Sequence, residues 1–216
     1  MSSQSVSVRP ERHDDDAAVN HAINAAFGPG MRARAAHALR EGVSHEMPLS
    51  FVAECGGEIV GSVRQTRIRI GGDIVLMLGP IGVVPARKNE GIGHQLMDAA
   101  VEAARKRQAE DGFDLIMLVG DLDYYGRFGF ARPKPGTITL PRPVDPTRIL
   151  VCELVQGAAA RINGAARQVE VERVPTGDDD EDAERLRLSV PLVPTYPPKP
   201  AAAGRAQGNR QTTAPA

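Results

Sequence analysis

Apolar positions along this chain change period several times, and each change marks an element. Val6 and Val8 alternate with polar residues until Arg9-Pro10, which predicts a short first strand. Asp14 to Asp16 then offer carboxylates at a helix start. Ala17, Val19, Ala22, Ile23, Ala26 and Phe27 follow as a loose helical stripe, broken by Gly28-Pro29-Gly30. Met31 to Arg40 predicts a second, Ala/Arg-rich helix closed by Gly42. From Pro48 the period shortens. Leu49 to Cys55 is β-prone, and Gly56-Gly57 is a two-residue hairpin signal. Glu58 to Ile70 partly alternates, and Gly71-Gly72 reads as a second hairpin turn. Ile74 to Leu78 opens an apolar strand, Gly79-Pro80 interrupts it, and Ile81 to Val84 resumes. Proline cannot donate to a ladder, so a kink or bulge belongs there.

Beyond Pro85 the helical period returns. A polar turn, Ala86 to Glu90, leads to Gly91-Ile92-Gly93. Leu96, Met97, Ala100, Val101 and Ala104 then share one face, and Asp111-Gly112 ends the run. Leu115 to Val119 is continuously apolar, fit for a sheet centre. Ile81 to Val119 thus reads strand, helix, strand, a right-handed crossover between parallel strands. Asp121 to Phe128 is a short helical turn, Ala131 to Pro146 a Pro-rich connection, and Ile149 to Val155 another strand. Ala158 to Val174, with Asn163-Gly164, predicts one more hairpin. Arg185 to Val190 could add an edge strand. A meander feeding a crossover predicts an α+β fold with a mixed, mostly antiparallel sheet. Residues 1–175 form its domain. Residues 176–216 are an acidic linker, Asp178 to Asp182, and a tail. Pro194 to Ala216 has one aromatic, Tyr196, so that tail is expected to be disordered.

Composition narrows the function classes. The 216 residues carry a net charge of −1, which supplies no basic field for nucleic acid. Aromatics are 4% and Trp is absent, which argues against a stacking platform for single strands. Cys55 and Cys152, the only cysteines, lie in apolar runs and read as buried free thiols. No CxxC or His pairing suggests a metal. The N-terminus lacks a basic region followed by an apolar one, and no apolar run approaches about 18 residues. The expected location is cytoplasmic, with no membrane or nucleic-acid partner.

The candidate chemistry lies between Leu76 and Pro133. Glycines let backbone N–H groups approach a phosphate, and a helix start adds unpaired donors and a positive dipole end. Lys88, Asn89, Glu90, Gly91, Ile92, Gly93 and His94 therefore form a candidate anion cradle. A P-loop needs Gly-Lys-Ser/Thr, but His94-Gln95 follows Gly93. A dinucleotide fingerprint needs a third glycine where position 96 is Leu.

With those rivals removed, Val83-Val84-Pro85 followed by Lys88, Gly91 and Gly93 resembles the GNAT superfamily of acyl-CoA-dependent N-acyltransferases. That pattern has a strand ending V-x-P, then Gln or Arg, then two spaced glycines. Lys88 keeps the donor of the usual Gln or Arg but lacks the planar fork. Glu90 brings a negative charge to the turn. Downstream, Tyr124-Tyr125-Gly126-Arg127-Phe128-Gly129-Phe130 looks like a small bacterial subgroup with a Y-Y-x-R-F-G-F signature. The resemblance covers about Val6 to Val155. It implies acetyl-CoA as acyl donor and a primary amine as acceptor, joined in a ternary complex without a metal. It implies that the main chain of Ile81, Gly82 and Val83 takes the pantetheine arm and the oxyanion. It implies that Tyr125 is the general acid; tyrosine, near pKa 10, is protonated at neutral pH. Tyr124 is assigned to packing or substrate contact. No carboxylate lies at 74–84 or 115–119. Asp121 and Asp123 are thus the nearest base candidates, and a helix cap is the preferred role for Asp121. The acceptor is a small molecule or a protein, and a homodimer is allowed. The alternative is a non-catalytic acyl-CoA-binding regulatory domain.

Overall fold

The computed structural model describes residues 5–28, 30 and 35–169. The edge strand and tail expected beyond residue 175 lie outside the described residues. So do residues 31–34 of the expected Met31–Arg40 helix, of which Ala35–Ala38 is helical.

Among the described residues, eight strands and five α-helices follow in order: β1 (Val6–Pro10), α1 (Asp16–Phe27), α2 (Ala35–Ala38), β2 (Phe51–Cys55), β3 (Glu58–Ile70) and β4 (Asp73–Val83). Then come α3 (Ile92–Asp111), β5 (Leu115–Val119), α4 (Leu122–Tyr125), β6 (Ile138–Thr139), β7 (Ile149–Glu153), α5 (Ala158–Arg161) and β8 (Gly164–Gln168). The sheet runs β1-β2-β3-β4-β5-β7. The glycine pairs make the expected antiparallel meander from β2 to β4, and β4 pairs β5 in parallel across α3. The fold is α+β with a mostly antiparallel sheet, as the periods predict.

Two expectations change. Over its described part, 158–169, the expected hairpin of 158–174 is not formed. Ala158–Arg161 is a helical turn, and β8 pairs the far half of β3 (Ile68↔Gln168) and, in parallel, β6. Three alanines favour helix, and the Glu153 carboxylate accepts from the N–H groups of Gly157 and Ala159, which fixes the turn. The Pro-rich connection also carries a two-residue strand, Ile138–Thr139.

Alternation along β4 divides the core. Leu76 and Leu78 pack with Leu96, Met97, Ala100 and Ala104 of α3. Val75 and Met77 point the other way, to Leu39, Ile68, Met117 and Ile162. Both faces of the sheet centre are therefore covered, which is why the strand reads as continuously apolar. Each Leu-sized side chain so buried is worth about 1.5–3 kcal/mol. The amide of Gln65, fully buried, donates to the carbonyls of Leu49 (2.9 Å) and Ala100 (3.0 Å) and ties β3 to α3. Gly82 lets α1 cross close by: a Cβ there would lie 3.0 Å from Ala26 Cβ and from Ile23 Cδ1. Among the described residues, no helix is long and apolar enough to cross a membrane.

Candidate functional site

The site begins where β4 stops pairing on one side. Leu78 faces Gln65 and Ile81 faces Val63, so Gly79 and Pro80 together oppose Arg64. This is the bulge that proline demanded; the Gly79-Pro80 peptide is cis. Parallel pairing with β5 covers Leu76↔Ile116 and Met77↔Met117. Past it, Leu118 and Val119 pair only with Leu150 and Ile149 of β7. Two main-chain edges are left facing a gap: Ile81, Gly82 and Val83 on one side, Leu118 and Val119 on the other. Ile81 and Val83 pack into the α3 core and Gly82 lies against α1, so these three residues offer backbone alone.

A second group lies beyond the end of β4. Pro85–Arg87 makes a tight turn, Lys88 is extended, and Asn89 and Gly91 both have positive φ, 68° and 78°. Asparagine and glycine tolerate that conformation best. Helix α3 then starts at Ile92. The N–H groups of His94 and Gln95 both take the Gly91 carbonyl, so those of Ile92 and Gly93 precede the helical ladder. Ile92 buries its side chain in the core and contributes only main chain. Lys88, Asn89 and Glu90 are exposed at the rim. The Glu90 carboxylate accepts from Arg87 Nε at 2.7 Å, and Arg87 Nη1 reaches Cys55 Sγ at 3.1 Å. Arg87 thus offsets the negative charge that Glu90 brings to the turn. His94 faces outward: its Nε2 is 3.5 Å from the Asp98 carboxylate, and its ring lies 4.7 Å from that of Phe128.

The tyrosines join these parts. Tyr125 lies over Gly120, where a Cβ would come within 2.1 Å of Tyr125 Cε2 and 2.6 Å of Cδ2. Its ring also meets Phe130 at 6.1 Å and Tyr124 at 4.8 Å, edge to face. Tyr124 reaches the cradle itself: its hydroxyl is 3.0 Å from where a Cβ on Gly93 would sit. Burial, with a contribution from Asp98, pushes the Tyr124 phenol above its ordinary range against the pull of Arg127. It stays a hydrogen-bond donor at neutral pH. The Gly93–Tyr124 contact, the Gly120–Tyr125 contact and the role of Arg87 were not legible in the sequence. The only hint was a glycine directly after an apolar strand.

The candidate bases adjoin the tyrosines in the chain, but neither carboxylate is shown bonded to them. Asp121 occupies the N-cap of α4, but its side chain makes no cap hydrogen bond; its carbonyl accepts from Tyr124 and Tyr125, and its carboxylate lies 3.2 Å from Arg148 Nε. The ion pair takes the carboxylate that capping would have used. Asp123 is exposed. The buried carboxylate of Glu11 is held by Arg64 and by His45 Nε2 at 3.3 Å. Of the basic stripe on β3, Arg64 is bound to Glu11 and Asp16 and Arg67 to Glu46, while Arg69 donates to the Gly72 carbonyl. These arginines serve the fold.

Residues 48–132 match the acetyltransferase (GNAT) domain family. No curated protein sequence matches the chain. Among solved structures, a GNAT family N-acetyltransferase (YhbS) from Escherichia coli, in complex with CoA, is 20% identical. The likeness covers 77% of this chain and 91% of that one, with a TM-score of 0.63, and it carries the fold. A GNAT family acetyltransferase from Brucella melitensis, in complex with acetyl-CoA, is 34% identical over 60% of this chain and 84% of that one, with a TM-score of 0.45.

Proposed function

Because this chain carries an acetyltransferase domain of the GNAT superfamily, we propose that it moves the acetyl group of acetyl-CoA to a primary amine by direct attack in a ternary complex. The carrying observation is the Tyr124 hydroxyl against Gly93, which sets the tyrosine pair of α4 beside the first turn of α3. The residues present fit the donor. Gly91, Ile92 and Gly93 would offer main-chain N–H groups and the helix dipole to the pyrophosphate, with Lys88, Asn89 and His94 around them. Glu90 is paired with Arg87, which offsets part of its charge. Ile81, Gly82 and Val83 would pair the pantetheine arm as an added strand.

The chemistry follows from that placement. A neutral amine attacks the thioester carbonyl carbon, and the carbonyl electrons move to oxygen. A main-chain N–H from Ile81–Val83 stabilises that developing charge. As the oxyanion collapses, the carbon–sulfur bond breaks and the CoA sulfur takes the Tyr125 proton. The amide nitrogen releases its extra proton to water, and Tyr125 is reprotonated. No carboxylate lies at 74–84 or 115–119, so the amine arrives neutral or loses its proton through water.

Tyr125→Phe tests the assignment. Thiol release with an amine panel should fall about 10²-fold, within the range for general acid catalysis, while calorimetric acetyl-CoA affinity stays within about threefold. Turnover equal to wild type would remove Tyr125 from the acid role. The second reading, a regulatory domain that binds acyl-CoA without turnover, draws on the missing strand carboxylate. Binding of acetyl-CoA without thiol release on any amine would favour it.

A further inference from the structure

Among the described residues, Arg40 is desolvated without a counter-charge. Arg40 follows α2, its N–H bonded to the His37 carbonyl at 2.9 Å. Its Nη1 lies 2.9 Å from where a Cβ on Gly79 would stand, so the glycine of the β4 bulge makes the room this guanidinium occupies. Among the described residues, none gives that guanidinium an ion pair or a hydrogen bond. Arg9, Arg64, Arg67, Arg87 and Arg107 each have a carboxylate. Burial pushes the Arg40 pKa down to about 10, which leaves the side chain charged at neutral pH. A cation taken out of water with no partner is costly in the empty protein. Groups perturbed in this way gather where ligands bind.

Position selects the kind of ligand. Gly79 opens the gap between β4 and β5. The strand runs on from Gly79 to Val83, about 13 Å at the usual rise, before the turn toward Gly91 begins. Phosphates held at the cradle would lie beyond that far end. Leu39, next to Arg40, belongs to the core with Ile68, Met77 and Met117, on the face away from α3. Arg40 therefore addresses the end of the gap where, on the acyl-transfer reading above, acyl group and acceptor meet. A guanidinium presents a planar fork of donors that matches a carboxylate in two parallel bonds.

We propose that Arg40 binds a carboxylate carried by the ligand at the acyl-transfer end, and so selects an acidic amine acceptor or a dicarboxylic acyl donor. This rests on the acyl-transfer reading.

The test compares wild type, Arg40→Gln and Arg40→Lys. Acceptors are paired by charge, an α-amino acid against its amide, and donors likewise, succinyl-CoA against acetyl-CoA. Wild type should favour the charged member of one pair by about 10-fold or more, mainly through KM, as hydrogen bonds to charged groups imply. Arg40→Lys should keep part of that preference. Arg40→Gln should lose it to within about twofold, with acetyl-CoA affinity unchanged. Preference in the acceptor pair assigns the carboxylate to the acceptor; preference in the donor pair assigns it to the acyl group. The favoured compound should also raise the melting temperature of wild type and leave that of Arg40→Gln unmoved. A folded Arg40→Gln protein with wild-type discrimination overturns the proposal, as does a wild type that discriminates in neither pair. If no donor transfers to any amine, the acyl-transfer reading fails instead. Melting shifts from the charged compounds then decide on Arg40 alone: loss of the shift in Arg40→Gln supports it, and equal shifts in both proteins overturn it.

Discussion

Adding one methyl group at Gly120 should disable Tyr125 without touching its hydroxyl. A Cβ at Gly120 would stand 2.1 Å from Tyr125 Cε2, and ordinary contact begins near 3.4 Å, so the ring must retreat by roughly 1.3 Å. Gly120 sits directly after β5, with its N–H on the Arg148 carbonyl at 2.9 Å, so its backbone cannot easily yield instead. Misplacing a reacting group by about 1 Å costs on the order of 10²-fold in rate, or about 2.7 kcal/mol of activation energy. Overpacking costs stability as well, about 1–3 kcal/mol. The assay is thiol release from acetyl-CoA with the best amine, alongside calorimetric donor affinity and a thermal melt. Gly120→Ala should lose about 10²-fold in kcat and keep donor affinity within about threefold. Gly126→Ala is the control. The nearest atom to its Cβ is Leu122 Cδ1 at 3.6 Å, an ordinary contact, so its kcat should stay within about twofold of wild type. A folded Gly120→Ala protein as active as Gly126→Ala would refute the reasoning, because the ring's position would then not matter to turnover.

Two further outcomes follow from the same geometry. Tyr124→Phe removes the hydroxyl that faces Gly93; acetyl-CoA affinity should weaken about 5–10-fold by calorimetry, the worth of one hydrogen bond, with kcat at saturation nearly unchanged. The Asp15 carboxylate is held below its usual range by hydrogen bonds from Arg9 Nη1 (2.6 Å) and the Arg12 N–H (2.8 Å), against a smaller opposing effect of burial. A depressed acid stabilises the fold above its unfolded pKa, about 3.9, and that contribution is lost as pH falls through the folded value. Wild type should thus melt higher than Asp15→Asn at pH 6, with the difference shrinking below about pH 4; a constant difference down to pH 2.5 would contradict this.

What the sequence made legible was what short range decides. Gly56-Gly57 and Gly71-Gly72 leave few alternatives to hairpins, and Pro80 inside an apolar run requires a break in the ladder. The α3 stripe follows from local spacing too. Residues 158–161 misled because the Asn163-Gly164 signal outweighed three alanines whose helix is fixed by Glu153, several positions upstream. Asp121 misled because an ion pair with Arg148, 27 positions away, competes with the cap. Tyr124 against Gly93 and Arg40 against Gly79 span 31 and 39 positions. Neither contact has a period or a spacing, so only the packed chain brings them together.

Sheets normally keep their unpaired edges at the rim, but the bulge at Gly79-Pro80 leaves one in the middle, between Ile81–Val83 and β5. Such an edge is a template for any extended segment, including one from another copy of the same chain. Rim strands are usually protected by charges, whereas here the flanking side chains are Ile81, Val83 and Leu118. Colloidal stability and occupancy are therefore linked in this fold. A segment that fills the gap, whether a small molecule or a foreign strand, closes the sheet. A ligand in the gap should therefore slow precipitation on warming, which light scattering with and without acetyl-CoA would read.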